Sequence, residues 1–491
     1  LLQFVLASLN NYLVPKKTKA LQDSEDSEQH TSNILVVGYK EDPDYYSACL
    51  KSVKQCFLTN HHVNKVIVVI DGDDETDQYM VDIFQSVFDG AHLALSGSLQ
   101  TIESLSSVLH TVHNNKFVCI TQSHSSKRHA MHTGFLLSIL ENTVYHTSTQ
   151  TVLCTDSDTI LDPHCIDNML PLFNDIDIGA VAGNLAIYTK YDSVISFLSS
   201  LRYWFAFNLE RSYQSFNKYV VCVSGPIGMY RISSLEKVID QWINQTFLSK
   251  PCTYGDDRHL TNQILSIGQR VLYSPNAHAS TETPSDLTRF YRQQTRWSKS
   301  SYREFIWSLR SIFKQHPLMS VDLLYALFFP YLVMAYMLYV LWFGNFQQLQ
   351  LYVIVLAASG LVKTTYGVIS SKNPEILFYF LYILPYICVV FPSKIWALLT
   401  ITDTSWGTSF RNSRSLVSFF SFDLIFLFLW NCMLTSSVCY SVFRFVSVNV
   451  SLSQVLPLVS LSGLFVFSVF LMILYVLFQR QAPENHSPPL P

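Results

Sequence analysis

Between residues 321 and 478 the chain almost loses its charge, and this constrains its fold more than any other feature. Five apolar stretches fill the region, at 321–343, 349–369, 376–399, 416–434 and 455–478. Each is near or above the roughly 20 residues that cross a bilayer as a helix. Residues 33–303 carry the ordinary mixture of a soluble domain. Overall, 49% of the residues are hydrophobic and 14% charged, where soluble chains carry about 25% charged. A length of 491 residues exceeds one core and implies two or three units. The net charge of −3 gives no electrostatic basis for nucleic-acid binding.

The third stretch contains Pro385 and Pro392, followed by Lys394. Broken helices are tolerated where they line protein or a cavity. The expectation is a transmembrane region over 317–480 with four crossings and a re-entrant or interfacial segment near 376–412. Lys363, Lys372, Arg411, Arg414 and Arg480 then share the side of the soluble domain, against Arg444 opposite, as positive-inside orientation requires. The sequon at Asn449 would face outward, and those at Asn244 and Asn485 inward. Residues 1–14 are apolar but too short to span, and read as the end of a transmembrane helix; 15–32 read as a polar linker and 481–491 as a tail. None of the ten cysteines forms a CxxC pair, so Cys49, Cys119 and Cys154 read as reduced core thiols of a cytosolic domain, not zinc ligands.

Within the soluble part, β-branched runs at 34–37, 65–70, 116–121 and 151–155 alternate with helical stretches. They predict a mostly parallel α/β sheet. Ligands bind beyond the carboxyl ends of such strands, where Asp71 and Asp156 fall. Residues 193–216 are aromatic-rich with embedded Arg202, Glu210 and Arg211, and read as an interfacial helix or a core helix. Residues 292–310 are a second interfacial candidate.

Four ordered motifs carry chemistry. Asp156-Ser157-Asp158 can hold a divalent cation against a diphosphate, although alone it is also an ordinary turn. Asp71 before Gly72 and Asp73 can accept from a uracil or ribose donor, or merely end a strand. In Gly255-Asp256-Asp257-Arg258 one carboxylate can deprotonate an acceptor hydroxyl, or the pair can mark a helix N-terminus. In Gln293-Gln294-Thr295-Arg296-Trp297, Arg suits a diphosphate and Trp a sugar ring. Lys127-Arg128 is a further diphosphate candidate, or a solvated surface pair.

In this order the motifs resemble the processive family-2 glycosyltransferases of the GT-A fold, from about residue 33 to 478. The finer match is to animal-type hyaluronan synthases. It rests on Gly38-Tyr39-Lys40-Glu41-Asp42-Pro43, DSDTILDP at 156–163, Ser224-Gly225-Pro226-Ile227-Gly228, GDDRHLTN at 255–262, QQTRWSK at 293–299, and Trp406-Gly407-Thr408. The resemblance implies a Rossmann-like GT-A catalytic domain over 33–270, QxxRW-bearing interfacial helices over 271–316, and an α-helical transmembrane channel. It implies stacking of uracil on Tyr39, with Glu41, Asp71 and Asp73 near the nucleoside. Asp156 would contact the nucleotide and Asp158 would bind Mg²⁺ or Mn²⁺. Lys127, Arg128, Gln293 and Arg296 would meet the diphosphate, and Asp257 would be the general base. Trp297, Ser224, Gly225, Pro226 and Asp256 would hold the acceptor. The implied partners are UDP-GlcNAc, UDP-GlcUA, the growing polysaccharide and the lipid bilayer of the plasma membrane. A chitin synthase-like enzyme using UDP-GlcNAc alone is the alternative. Two positions depart from the family pattern: Ser126 stands where Gly is usual, and Ser409 follows the WGT segment where some members have Arg.

Overall fold

The run Thr31–Gly38 becomes an inner strand of a nine-stranded sheet in a computed structural model of the chain. The structure describes residues 2–23, 30–89, 92–95, 102–308, 317–403 and 421–449. β1 (Thr31–Gly38) pairs in parallel with β2 (Val63–Ile70) and β5 (Thr149–Asp156). β3 (His92–Leu95) and β4 (Phe117–Thr121) continue the parallel half beyond β2. On the other side, β8 (Gly228–Arg231) runs antiparallel between β5 and β7 (Ile178–Ile187). β7 pairs in parallel with β11 (Arg270–Thr281), whose end takes the short β6 (Ile160–Leu161) antiparallel. β9 (Thr246–Phe247) and β10 (Lys250–Pro251) form a separate hairpin. β1 and β2 are buried almost end to end because helices cover both sheet faces, which explains their unbroken apolar runs. Those helices include α2 (Pro43–Thr59), α3 (Gln78–Val87), α4 (Ile102–Asn114), α5 (Lys127–Tyr145), α8 (Ile232–Ile243) and α9 (Asp256–Ser266).

Several boundaries differ from those expected. The charged stretch after residue 14 is not a linker throughout: α1 runs unbroken over Leu2–Gln22 with Pro15 inside it. Its Lys-, Ala- and Leu-rich sequence favours helix. Its Asn11 donates to the Asn208 carbonyl at 3.0 Å and accepts from Ser212 Oγ at 2.7 Å, fixing α1 to the catalytic domain. The sheet also extends past residue 270, because β11 reaches Thr281. The aromatic stretch forms α6 (Val194–Phe205), a π-helical turn (Ala206–Arg211) and α7 (Ser212–Phe216). The QxxRW motif lies within α10 (Leu287–Ser308).

Four described helices are long and apolar enough to cross a membrane: Pro317–Trp342, Phe346–Ser371, Pro374–Leu399 and Phe422–Arg444. The third, expected to be interfacial or re-entrant, qualifies by length like the others. It differs in packing: half of its most apolar window is buried, against 11%, 11% and 17% for the rest. It is irregular, passing through 3₁₀, α, π and α turns. Pro392 has no N–H for the Cys388 carbonyl one turn back, and Asn431 Nδ2 donates to that carbonyl at 3.0 Å instead. Trp430 Nε1 satisfies the Ile387 carbonyl at 3.1 Å. A neighbouring helix thus supplies the hydrogen bonds that the broken one lacks. The 455–478 stretch, the WGT segment and the C-terminal tail lie outside the described residues.

Candidate active site

The carboxyl ends of β1, β2 and β5 open into a cavity of about 910 Å³. Tyr39, Glu41 and Asp71 lie at one end, and Asp156 and Asp158 beside them. α9 contributes Asp256 and Asp257, α10 contributes Gln293, Arg296 and Trp297, and the loop before β8 contributes Ser224, Gly225 and Pro226. The far wall is formed by Leu323, Ala326 and Leu327 of the first apolar helix and Tyr382 and Lys394 of the third. Of the residues expected to bind nucleotide, metal or acceptor, or to act as the base, all but Asp73 and Arg128 line this space.

The DxD turn is held from three directions. Lys127, in the first turn of α5, donates to Asp156 Oδ1 at 2.5 Å. Ser157 Oγ donates to Glu41 Oε2 at 3.0 Å, and Thr281 Oγ1 at the end of β11 donates to Asp158 Oδ1 at 3.3 Å. Burial pushes the Asp156 carboxyl above its ordinary range; Lys127 opposes that shift and the neighbouring Asp158 adds to it. Burial disfavours charge on Lys127, but Asp156 outweighs it and holds the ammonium above its ordinary value. Gly225 packs on this pair: a Cβ there would lie 3.0 Å from Lys127 Nζ and 3.1 Å from Asp156 Oδ1. No cluster of three His, Cys, Asp or Glu residues with metal-binding geometry exists among the described residues. Two adjacent carboxylates nevertheless suit a hard cation whose remaining ligands are water and phosphate oxygens, the usual arrangement for Mg²⁺.

Four of the expected ligands, Arg128, Asp256, Asp71 and Asp73, have partners within the protein. Arg128 is not a diphosphate ligand in this arrangement: it is buried, its Nε donates to Asp256 Oδ1 at 2.6 Å, and its guanidinium faces the Trp242 ring at 5.7 Å. It follows Lys127 on a helix, so it points about 100° away, into the α5–α8–α9 interface. Asp256 is accordingly engaged by Arg128 and presents little of itself to an acceptor. Asp71 lines the cavity with its carboxylate oxygens already engaged. Its Oδ1 accepts from Gln122 Nε2 (2.9 Å) and the Ser125 amide (3.1 Å), and its Oδ2 from His124 Nδ1 (2.9 Å). Burial raises its pKa while these donors pull it down. Asp73 lies outside the cavity and accepts from Ser123 Oγ at 2.7 Å. Both aspartates anchor the β4–α5 loop that delivers Lys127.

Asp257 sits in the first turn of α9. Gly255 begins that helix at φ +85, and a Cβ there would come 2.2 Å from Ser300 Oγ of α10, so both backbone and space require glycine. Asp257 Oδ1 accepts from the Arg258 amide at 2.8 Å, and Cys222 Sγ donates to Oδ2 at 3.4 Å. Burial pushes the Cys222 thiol up to about 11, with Asp257 adding to the shift. Burial also lowers the pKa of Arg296, and Asp257 and Asp256 oppose that, which marks the three as electrostatic neighbours; a guanidinium remains charged regardless. Trp297 is 39% exposed, with Tyr203 of α6 6.2 Å away, centroid to centroid.

Two contributors carry no sequence motif. Arg211, in the π-helical turn, donates to Ser224 Oγ at 2.7 Å and to the Cys222 carbonyl at 3.1 Å, fixing the loop before β8. Glu304 of α10 is buried and accepts from Gln245 Nε2 (2.6 Å) and Asn262 Nδ2 (3.0 Å), with His259 Nδ1 at 3.0 Å. It locks α9 to α10, and so Asp257 to Arg296. The arrangement joins a carboxylate able to take a proton, cations able to meet a diphosphate, and an aromatic face able to carry a sugar.

Residues 30–300 match the family described as "Glycosyltransferase like family 2". Hyaluronan synthase 3 of Xenopus laevis is 38% identical over 429 residues, covering 85% of this chain and 74% of that protein. Hyaluronan synthase 2 of Homo sapiens is 36% identical over 454 residues, covering 90% and 80%. Together with the cavity and the apolar helices, these matches show that the chain belongs to the hyaluronan synthase family, as a membrane-associated, UDP-sugar-dependent glycosyltransferase.

Proposed function

We propose that the protein is a processive, inverting synthase that polymerises hyaluronan from UDP-GlcNAc and UDP-GlcUA and extrudes the polymer through its own membrane helices. The reading rests above all on one observation. A single cavity is lined by Lys127, Asp158, Asp257, Arg296 and Trp297 at one end and by residues of two apolar helices at the other.

In this mechanism the donor diphosphate lies against Lys127 and Arg296, with Gln293 beside it. Asp156 and Asp158 would hold Mg²⁺ or Mn²⁺, which when bound neutralises charge developing on the leaving diphosphate. Trp297 stacks on the acceptor sugar at the start of the path toward Leu323 and Tyr382. Asp257 takes the proton from the acceptor hydroxyl as it attacks the anomeric carbon opposite the diphosphate. That single displacement converts an α-linked donor into a β-linkage. Lys127 and Arg296 carry the leaving-group charge, so no separate acid is needed. The catalytic domain would face the cytosol at the plasma membrane, where nucleotide sugars are supplied and the polymer is released outward.

Asp257→Asn keeps the shape of the side chain and removes its basicity. The expected result is loss of polymer synthesis with UDP affinity within about threefold of the unaltered protein. Synthesis at an unaltered rate refutes the assignment of the base.

A further inference from the structure

One buried face of α2 carries hydrogen-bonding groups in place of the usual hydrocarbon. Cys49, Ser52 and Cys56, with Asn60 just past the end of the helix, follow one another at helical spacing and so share one side of it. All four are buried. All four reach the same partner, the stretch 156–163 that carries the DxD turn. Cys49 Sγ donates to the Asp156 carbonyl at 3.5 Å, and Cys56 Sγ to the Asp162 carbonyl at 3.3 Å. Ser52 Oγ accepts from the Leu161 amide at 3.0 Å, and Asn60 Nδ2 donates to the Pro163 carbonyl at 2.6 Å.

These contacts run in order. Cys49 meets the start of the stretch and Asn60 its end, so the stretch lies alongside the helix. Glu41, just before α2, adds the bond from Ser157 Oγ. Leu161 belongs to β6, the edge strand of the sheet, and Ser52 takes an amide of the kind that an edge leaves open. Ser52 Oγ is itself oriented by donating to the Cys49 carbonyl at 2.7 Å. Thiols are weak donors, so Ser52 and Asn60 supply most of the restraint. Asp158 therefore sits between two pinned ends. Two like-charged carboxylates repel until a cation joins them, and a fixed backbone holds them together beforehand. We infer that α2 is a splint for the DxD turn, and that Ser52 and Asn60 are positioning residues for the divalent cation although neither lines the cavity. This rests on the cation reading of Asp156 and Asp158 above.

The test titrates Mn²⁺ into the full chain in detergent micelles with UDP present. Binding is read as loss of the free-ion paramagnetic resonance signal against a UDP-only blank, beside the thermal unfolding midpoint. Ser52→Ala and Asn60→Ala are each expected to weaken Mn²⁺ about tenfold, within the range for loss of a group that orients metal ligands. Ser138→Ala is the control: that serine is buried in α5 and bonds Asn33 and the Gly134 carbonyl instead. Its midpoint is expected to fall with Mn²⁺ affinity unchanged. Ser52→Cys, which keeps the packing and a weaker acceptor, is expected to lie between the unaltered protein and Ser52→Ala. Lower midpoints for Ser52→Ala and Asn60→Ala with unaltered Mn²⁺ affinity overturn the inference, because the face then only packs. Equal weakening by Ser138→Ala also overturns it, because loosening anywhere in the domain then suffices. If the two alanine variants do not fold, Ser52→Cys decides: unaltered Mn²⁺ affinity there overturns the inference, and weakened affinity supports it. Absence of Mn²⁺ binding by the unaltered protein defeats the cation reading itself, and this inference with it.

Discussion

Arg128 Nε and Asp256 Oδ1 lie 2.6 Å apart in an ion pair whose side chains are 1% and 6% exposed. The pair joins α5, which begins with Lys127, to α9, which carries Asp257. Two adjacent basic residues thus divide their labour: Lys127 faces the cavity and Arg128 holds its walls together. Arg128→Ala leaves the Asp256 carboxylate buried without its partner, which costs on the order of 3–5 kcal/mol. The expected outcome is a marked drop in the thermal unfolding midpoint of the purified protein. Arg128→Met combined with Asp256→Asn recovers part of it. An unchanged midpoint for Arg128→Ala would contradict the structural role.

Lys127→Ala should behave oppositely. The side chain is partly exposed and fills no core, so the unfolding midpoint stays close to that of the unaltered protein. Activity with UDP-sugars falls by about 10²–10³, the usual range for loss of a group that stabilises developing charge. Steady-state kinetics beside a melting curve separates the two basic residues.

Glu304 gives a pH dependence. Burial raises its pKa, but His259, Asn262 and Gln245 together pull it below the ordinary glutamate value. A carboxyl depressed in the folded state contributes stability that is present above its unfolded pKa of about 4.3 and lost as pH falls through the folded value. The unfolding midpoint is therefore expected to decline as the pH drops below about 4.3. Glu304→Gln lowers the midpoint at neutral pH and flattens that decline. An identical acid profile for the variant would remove Glu304 from the account.

Chelation should abolish transfer. EDTA is expected to stop UDP release, and Mg²⁺ or Mn²⁺ added in excess to restore it, because without the cation the Asp156 and Asp158 carboxylates repel the diphosphate and Lys127 and Arg296 alone do not neutralise it. Asp158→Asn should resist that rescue. Turnover persisting in EDTA would rule out the cation-assisted step.

The strand runs at 34–37, 65–70, 116–121 and 151–155 were legible as a parallel sheet because burial on both faces writes continuous apolar sequence. The DxD, GDD and QxxRW sets were legible because their residue types and order are unusual together. What stayed hidden depends on direction in space. Lys127-Arg128 reads as two equal cations, and only the turn of α5 sends one inward and one into the cavity. Asp71 ends a strand where a ligand could sit, yet a loop 51 residues later in sequence uses its oxygens. Glu304 and Arg211 belong to no motif, since what they do depends on neighbours remote in sequence. The helical course of 15–22 is hidden because its charge suggests a linker, although Lys, Ala and Leu favour helix.

The most direct measurement supplies purified protein with labelled UDP-GlcNAc and Mg²⁺, with and without UDP-GlcUA, and digests the product with hyaluronidase. High-molecular-mass product is expected only when both donors are present, degraded completely by the enzyme. Polymer formed equally well from UDP-GlcNAc alone, and resistant to hyaluronidase, would contradict it.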